Sequence, residues 1–187
     1  MFNSNLLNVM KKRYLSLLTV LFLSTVSALA QTFTLKSETL GGQATNKEFA
    51  NTFGCTGENI SPELHWENAP EGTKSFAITV YDPDAPTGSG FWHWVVTDIP
   101  ADMNALKEGI SGELPKGIVE SRTDYGAAGY GGPCPPEGDR PHAYIVTVFA
   151  LKTDKLGLDP NTPPAVVGFN LNANVIEKAS IVFYGQR

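Results

Sequence analysis

Apolar residues in this chain come in short runs, each fenced by glycine, proline, asparagine or aspartate. That spacing narrows the architecture before any residue is considered for chemistry. Segments 32–36, 63–66, 75–81, 93–99, 142–151 and 179–184 alternate or run apolar with aromatic and β-branched side chains, the signature of half-buried or fully buried strands. A helical period appears over 166–178, before the last strand, with a weaker short candidate at 102–108. Many short strands joined by long Pro/Gly-containing connections favour a sandwich of antiparallel sheets over βαβ units. No internal repeat or low-complexity linker interrupts the pattern.

The first 30 residues read as an export signal. Lys11, Lys12 and Arg13 precede an uncharged apolar run over 14–26, and Ala28-Leu29-Ala30 supplies the small-x-small pattern that signal peptidase cuts after. Cleavage is expected before Gln31, leaving 31–187 as a single domain. The apolar run falls short of the roughly 20 residues that a spanning helix needs, so stable membrane insertion is not expected. Met10 opens a more typical signal than Met1, and residues 1–9 read as an over-extended start. The cut carries no lipidation-type cysteine, and the expected location is periplasmic or secreted.

The formal net charge is −5 over the whole sequence, and removing the three signal-segment cations makes it −8. An acidic surface repels polyphosphate backbones and anionic headgroups, which counts against a general footing on DNA, RNA or a membrane face. A small ligand remains compatible, as does a protein partner.

Two distant segments concentrate the chemistry. Asp82-Pro83-Asp84-Ala85-Pro86 is followed by Trp92-His93-Trp94, and Gly131-Gly132-Pro133-Cys134-Pro135-Pro136 by His142-Ala143-Tyr144. Each joins a Pro/Gly-rich turn to a strand that opens with a histidine, and folding can bring two such strand mouths together. Residues two apart on a strand share a face, so His142 and Tyr144 should point together. The same rule groups His93 with Val95 and Thr97, and sets Trp92, Trp94 and Val96 on the opposite face. His65, between Leu64 and Trp66, has no such company and reads as structural. In the first loop the aspartates either cap backbone amides or, for Asp82, accept a hydrogen bond from His93 or His142. The second role favours an imidazolium able to hold a phosphate or carboxylate.

Cys55 and Cys134 are the two cysteines, both in loop-like segments. An exported protein with two cysteines invites a disulfide, and the alternative is two free thiols beside the pocket. Neither belongs to a CxxC pair, so a metal site is the weaker reading.

These segments together resemble the phosphatidylethanolamine-binding protein family, also called Raf kinase inhibitor-like proteins, over nearly the whole of 31–187. Asn59-Ile60-Ser61-Pro62, the Gly-Pro-Cys-Pro-Pro loop and a chain that stops soon after Ile181-Val182-Phe183-Tyr184 are similar to its bacterial YbhB/YbcL branch, and the signal favours the exported, YbcL-like members. The resemblance implies a mainly β fold, a β-sandwich of antiparallel sheets with a few short helices, and a small anion pocket. It places Asp82, His93 and His142 as the polar anion-site residues and Pro86, Pro135 and Tyr144 as wall or rim, with Asp84 and Gly132 as loop support. No cofactor and no metal are expected. Two departures stand out: Ala143 replaces an arginine common in the family, and the C-terminal extension that borders the pocket in eukaryotic relatives is missing.

The expected function is an exported, non-enzymatic binding protein for a small phosphate-like or carboxylate anion, which uses the pocket to recognise a lipid headgroup or an envelope or extracellular protein partner. One alternative is a hydrolase using His93 or His142 as general base with Asp82 orienting it. No nucleophile stands in a recognisable setting, since Ser89 lies in a Gly-Ser-Gly turn and no Gly-x-Ser-x-Gly elbow is present. Another alternative is a protease inhibitor or other protein inhibitor.

Overall fold

The computed structural model describes residues 31–187; the expected export signal and the alternative start at Met10 lie outside the described residues. The order of elements is β1 (Thr34–Lys36), β2 (Leu64–Glu67), β3 (Ser75–Asp82), β4 (Phe91–Pro100), β5 (Ala105–Leu106), β6 (Val119–Glu120), β7 (His142–Leu151), α1 (Pro164–Asn174) and β8 (Val175–Gly185). A three-stranded sheet runs β1-β2-β5, and a five-stranded sheet runs β6-β4-β3-β7-β8. All strand pairs are antiparallel. The fold is mainly β, as expected from the six apolar runs, all of which form strands.

Period two explains the layering. Ile78 and Val80 of β3 and Tyr144, Val146 and Val148 of β7 share one face with Trp94, and pack there against Phe33, Leu35, Leu64, Trp66 and Leu106. The opposite face carries Ala77, Val95, Phe149 and Leu151 against Val167 and Leu171 of α1. Central strands covered on both faces must be apolar at nearly every position, which is why β3, β4 and β7 read as runs more than as alternations. Trp66, Trp94, Tyr144, Phe76 and Phe183 are the largest fully buried side chains. Each stabilises the sandwich by roughly 1.5–3 kcal/mol or more through burial alone.

Of the two helix expectations one fails and the other is shortened, both because of strand pairing. Residues 102–108 form a turn and then β5, because Leu106 and Ala105 pair with Leu64 and His65 of β2 and Leu106 is drawn into the core. The late helix begins at Pro164, whose fixed φ suits a first turn, but it ends at Asn174 instead of continuing to Lys178. From Val175 onward the backbone bonds to β7, with Val175 opposite Leu151 and Lys178 opposite Phe149. Propensity is a weak prior against ten positions paired with the buried strand β7.

A disulfide joins Cys55 to Cys134 with Cα atoms 5.9 Å apart, so the bonded alternative holds. It ties the loop before β2 to the loop before β7 across a sequence separation of 79 residues. Closing a loop of that length restricts the unfolded chain, and loss of the bond should cost about 2–4 kcal/mol. In thermal melts the Cys55→Ala/Cys134→Ala protein should therefore unfold well below the oxidised wild type; coincident melts would contradict a constraining bond.

Candidate functional site

The site assembles where strand ends meet. β3 runs antiparallel to both of its neighbours, so its last residue, Asp82, lies beside the first residues of β4 and β7. Asp82 shares the face of Ile78 and Val80, and His142 shares that of Tyr144 and Val146, so both point toward the inter-sheet core.

His93 reaches the same face by a route that period two does not describe. Val80 pairs with Trp94 but Tyr81 pairs with Trp92, leaving His93 as an extra residue, a β-bulge. The bulge reverses the alternation. Trp94 and Val96 lie in the inter-sheet core, Trp92 and Val95 pack toward α1, and the His93 ring stands 5.0 Å from Tyr144, edge to face. The expected grouping of His93 with Val95, and of Trp92 with Trp94, is thereby corrected.

Asp82 performs both roles considered for it. One oxygen, Oδ1, accepts from the amides of Asp84 and Ala85 at 2.8 and 3.1 Å and fixes the turn. The other, Oδ2, accepts from His142 Nδ1 at 2.8 Å, so His142 and not His93 is its histidine. The second ring nitrogen, Nε2, lies 3.3 Å from Asp139 Oδ2. With an acceptor at each nitrogen, the ring is held as an imidazolium. Burial works against that charge, but the bonds to Asp82 and Asp139 and their negative charges outweigh it, raising the His142 pKa above the usual histidine value.

His93 is held the other way. Its Nδ1 lies 2.7 Å from the carbonyl of Gly131 and 3.1 Å from that of Gly132, which makes this nitrogen the donor. Burial lowers its pKa despite those bonds, so the ring is neutral.

The loops are fixed by the residues expected to support them. Asp84 accepts from the Ala143 amide at 2.8 Å and from Arg140 at 2.7 Å, and those bonds hold its carboxyl below the usual range. Gly132 donates to Asn59 Oδ1 at 2.8 Å, and a Cβ placed there would stand 1.9 Å from the Glu48 carbonyl, so no larger residue fits without moving backbone. Cys134 brings the disulfide to the same rim. His65 lies apart, half-buried and bonded to Glu63 at 2.9 Å, in keeping with a structural role.

Between the loops is a cavity of about 140 Å³ whose lining includes Asp82, His93, His142, Tyr144, Pro86 and Pro135. Sequence reasoning missed Phe53, Phe91, Thr87 and Tyr125, which also line it. Tyr125 donates to the Gly132 carbonyl at 2.6 Å and lies edge-on to His93, while Phe53 stacks on Tyr125. Nothing in the local pattern of Asp124-Tyr125-Gly126 marks it, because its place is set by a long loop. Tyr144 is wholly buried, and its hydroxyl has no hydrogen-bond partner among the described residues. Burial, and behind it the Asp82 charge, keeps that phenol protonated. The Asp82 carboxylate lies close enough to raise the phenol's pKa but makes no hydrogen bond of normal geometry to it.

Comparison with known proteins fits this geometry to a family. A sequence profile described as phosphatidylethanolamine-binding protein matches residues 41–186. The chain is 51% identical over 171 residues to the UPF0098 protein YbcL of Escherichia coli, covering 87% of this chain and 92% of that protein. It is 46% identical to E. coli YbhB, covering 75% and 90%. The crystal structure of E. coli YbcL, described as a new member of the mammalian PEBP family, superposes with a TM-score of 0.82 at 48% identity over 84% of this chain and 99% of that one. The protein belongs to the phosphatidylethanolamine-binding protein family, in its bacterial YbhB/YbcL branch.

The two histidines should separate in an NMR pH titration, His142 above the ordinary value of about 6.5 and His93 below it. A raised folded-state pKa stabilises the fold fully below about pH 6.5, and that contribution is lost as pH rises through the raised value. Asp139→Asn should lower the His142 pKa and flatten this loss. A His142 that titrates at or below 6.5 in the wild type contradicts the double pairing.

Proposed function

We propose that this protein is a non-enzymatic binding protein, exported to the periplasm or beyond, whose cavity holds a small anionic group of phosphate or carboxylate type and presents it for recognition of a lipid headgroup or a protein partner. The Tyr144 hydroxyl carries this reading. A buried hydroxyl without a partner costs about 1–3 kcal/mol, and an anion beside it would accept that donor. The cavity, about 140 Å³, is small beside the roughly 300–1,000 Å³ of drug-sized sites, which suits a headgroup or single anion. The family's name and the description of the E. coli YbcL structure point toward phosphate esters as the ligand class. The disulfide supports an oxidising compartment.

Binding is favoured over catalysis by the state of the hydroxyls and thiols that line the cavity. Thr87 donates to the Gly90 carbonyl, Tyr125 donates to Gly132, and Cys134 is disulfide-bonded. The remaining hydroxyl, on Tyr144, is kept protonated by its burial, so none of these groups is poised as an activated nucleophile. The His142–Asp82 pair favours the hydrolase as a second reading, because an imidazolium oriented by a carboxylate has the geometry of a general acid. Turnover of generic phosphate or carboxylate esters, lost in His142→Ala, would establish that reading instead.

Tyr144→Phe separates binding from structure. Removing an unpartnered hydroxyl should leave the melting temperature unchanged or higher, while affinity for inorganic phosphate in calorimetry falls about tenfold or more, as for a hydrogen bond to a charged group. Equal phosphate affinity in the two proteins would rule out the hydroxyl as a ligand contact.

A further inference from the structure

His142 has one N–H that Asp82 does not take, and that N–H is already covered. Asp139 Oδ2 lies 3.3 Å from Nε2, beyond the roughly 2.7–2.9 Å of a strong charge-assisted bond and longer than the 2.8 Å bond to Asp82 on the other side. The His142 side chain is 1% exposed, whereas that of Asp139 is 42% exposed. A carboxylate oxygen on an imidazolium N–H is also the contact that a phosphate or carboxylate ligand would make there.

The loop around Asp139 holds its backbone and leaves its side chain at the surface. The Gly138 amide donates to the Arg187 carbonyl at 3.0 Å, and Gln186 Nε2 donates to the Asp139 carbonyl at 3.0 Å. The carboxylate itself keeps one further contact, Oδ1 accepting from the Arg140 amide at 2.8 Å. That amide faces water once the side chain rotates away. The Arg140 guanidinium bonds to Asp84 through its Nη2 and makes no hydrogen bond to the Asp139 carboxylate.

We propose that Asp139 is a built-in competitor that occupies the ligand's place on His142, so that it sets which anions enter the cavity. This rests on the anion-holding reading of the cavity. A tethered group competes at an effective concentration of millimolar order or more. A free monocarboxylate offers His142 the same contact without the tether and is excluded, which narrows the proposed ligand class from phosphate or carboxylate groups to phosphate-like ones. A phosphate displaces Asp139 because its additional oxygens can engage the Tyr144 hydroxyl at the same time. Asp139 is therefore a specificity-determining residue that acts on His142 of the cavity wall, and its removal strengthens binding, opposite in sign to the loss expected at Tyr144.

Calorimetric titration of wild type, Asp139→Asn and Asp139→Ala with inorganic phosphate, and separately with acetate, tests this. Asp139→Ala should bind phosphate about tenfold tighter than wild type, with Asp139→Asn between them, and acetate binding should appear in the alanine variant alone. Asp139→Asn keeps the side-chain shape and carries the test by itself if the alanine variant fails to fold. Phosphate bound equally well by all three proteins, or more weakly by the variants, overturns the competitor and leaves the anion reading standing. Phosphate bound by none of them overturns the anion reading, and the competitor with it.

Discussion

The Asp82–His142 pair is the constraint from which the rest of the site follows. Asp82 stands at the end of β3, where its two oxygens must serve a turn on one side and an imidazole on the neighbouring strand on the other. Both side chains are almost wholly buried. Removing one partner would leave a buried charge uncompensated, a loss of roughly 3–5 kcal/mol. Neither residue is free to vary in position, so the mouth of β7, the Asp-Pro-Asp-Ala-Pro loop and the Tyr144 ring two residues along are fixed together.

Around that pair the cavity is built from opposed electrostatic choices. His142 is made cationic by carboxylates at both nitrogens, while His93 is kept neutral by burial and spends its Nδ1 proton on backbone carbonyls. The resulting site is not a pool of positive charge. One imidazolium is balanced by Asp82 and shielded by Asp139, and the donor left over is a neutral phenol. Such a site selects by hydrogen-bond geometry more than by net attraction, which suits a protein whose overall charge is negative.

Much of this was legible in the sequence, for reasons that can be named. The apolar runs marked the six long or core strands because burial on one or both faces demands them. The ends of β7, at His142 and Leu151, were read directly from its punctuation. His142 and Tyr144 share a face because no bulge lies between them. His93 does line the cavity, but it does not share a face with Val95, because one extra residue in β4 reverses the alternation and the sequence Trp92-His93-Trp94 carries no signal of a bulge. The short β5 and the early end of α1 were missed for a related reason, since both depend on pairing with distant strands and not on local periodicity. Asp139 and Tyr125 were overlooked because they come from loops, whose path is set by the disulfide, by Gly132 against the Glu48 carbonyl and by the chain end at Arg187.

The central claim, that this cavity holds an anion on Tyr144 and His142, is tested most directly by a crystal structure of the protein grown in saturating inorganic phosphate. The account predicts tetrahedral density within hydrogen-bond distance of the Tyr144 hydroxyl and His142 Nε2, with the Asp139 carboxylate turned out to solvent. A cavity holding only water, with Asp139 still on His142 at that concentration, would contradict it.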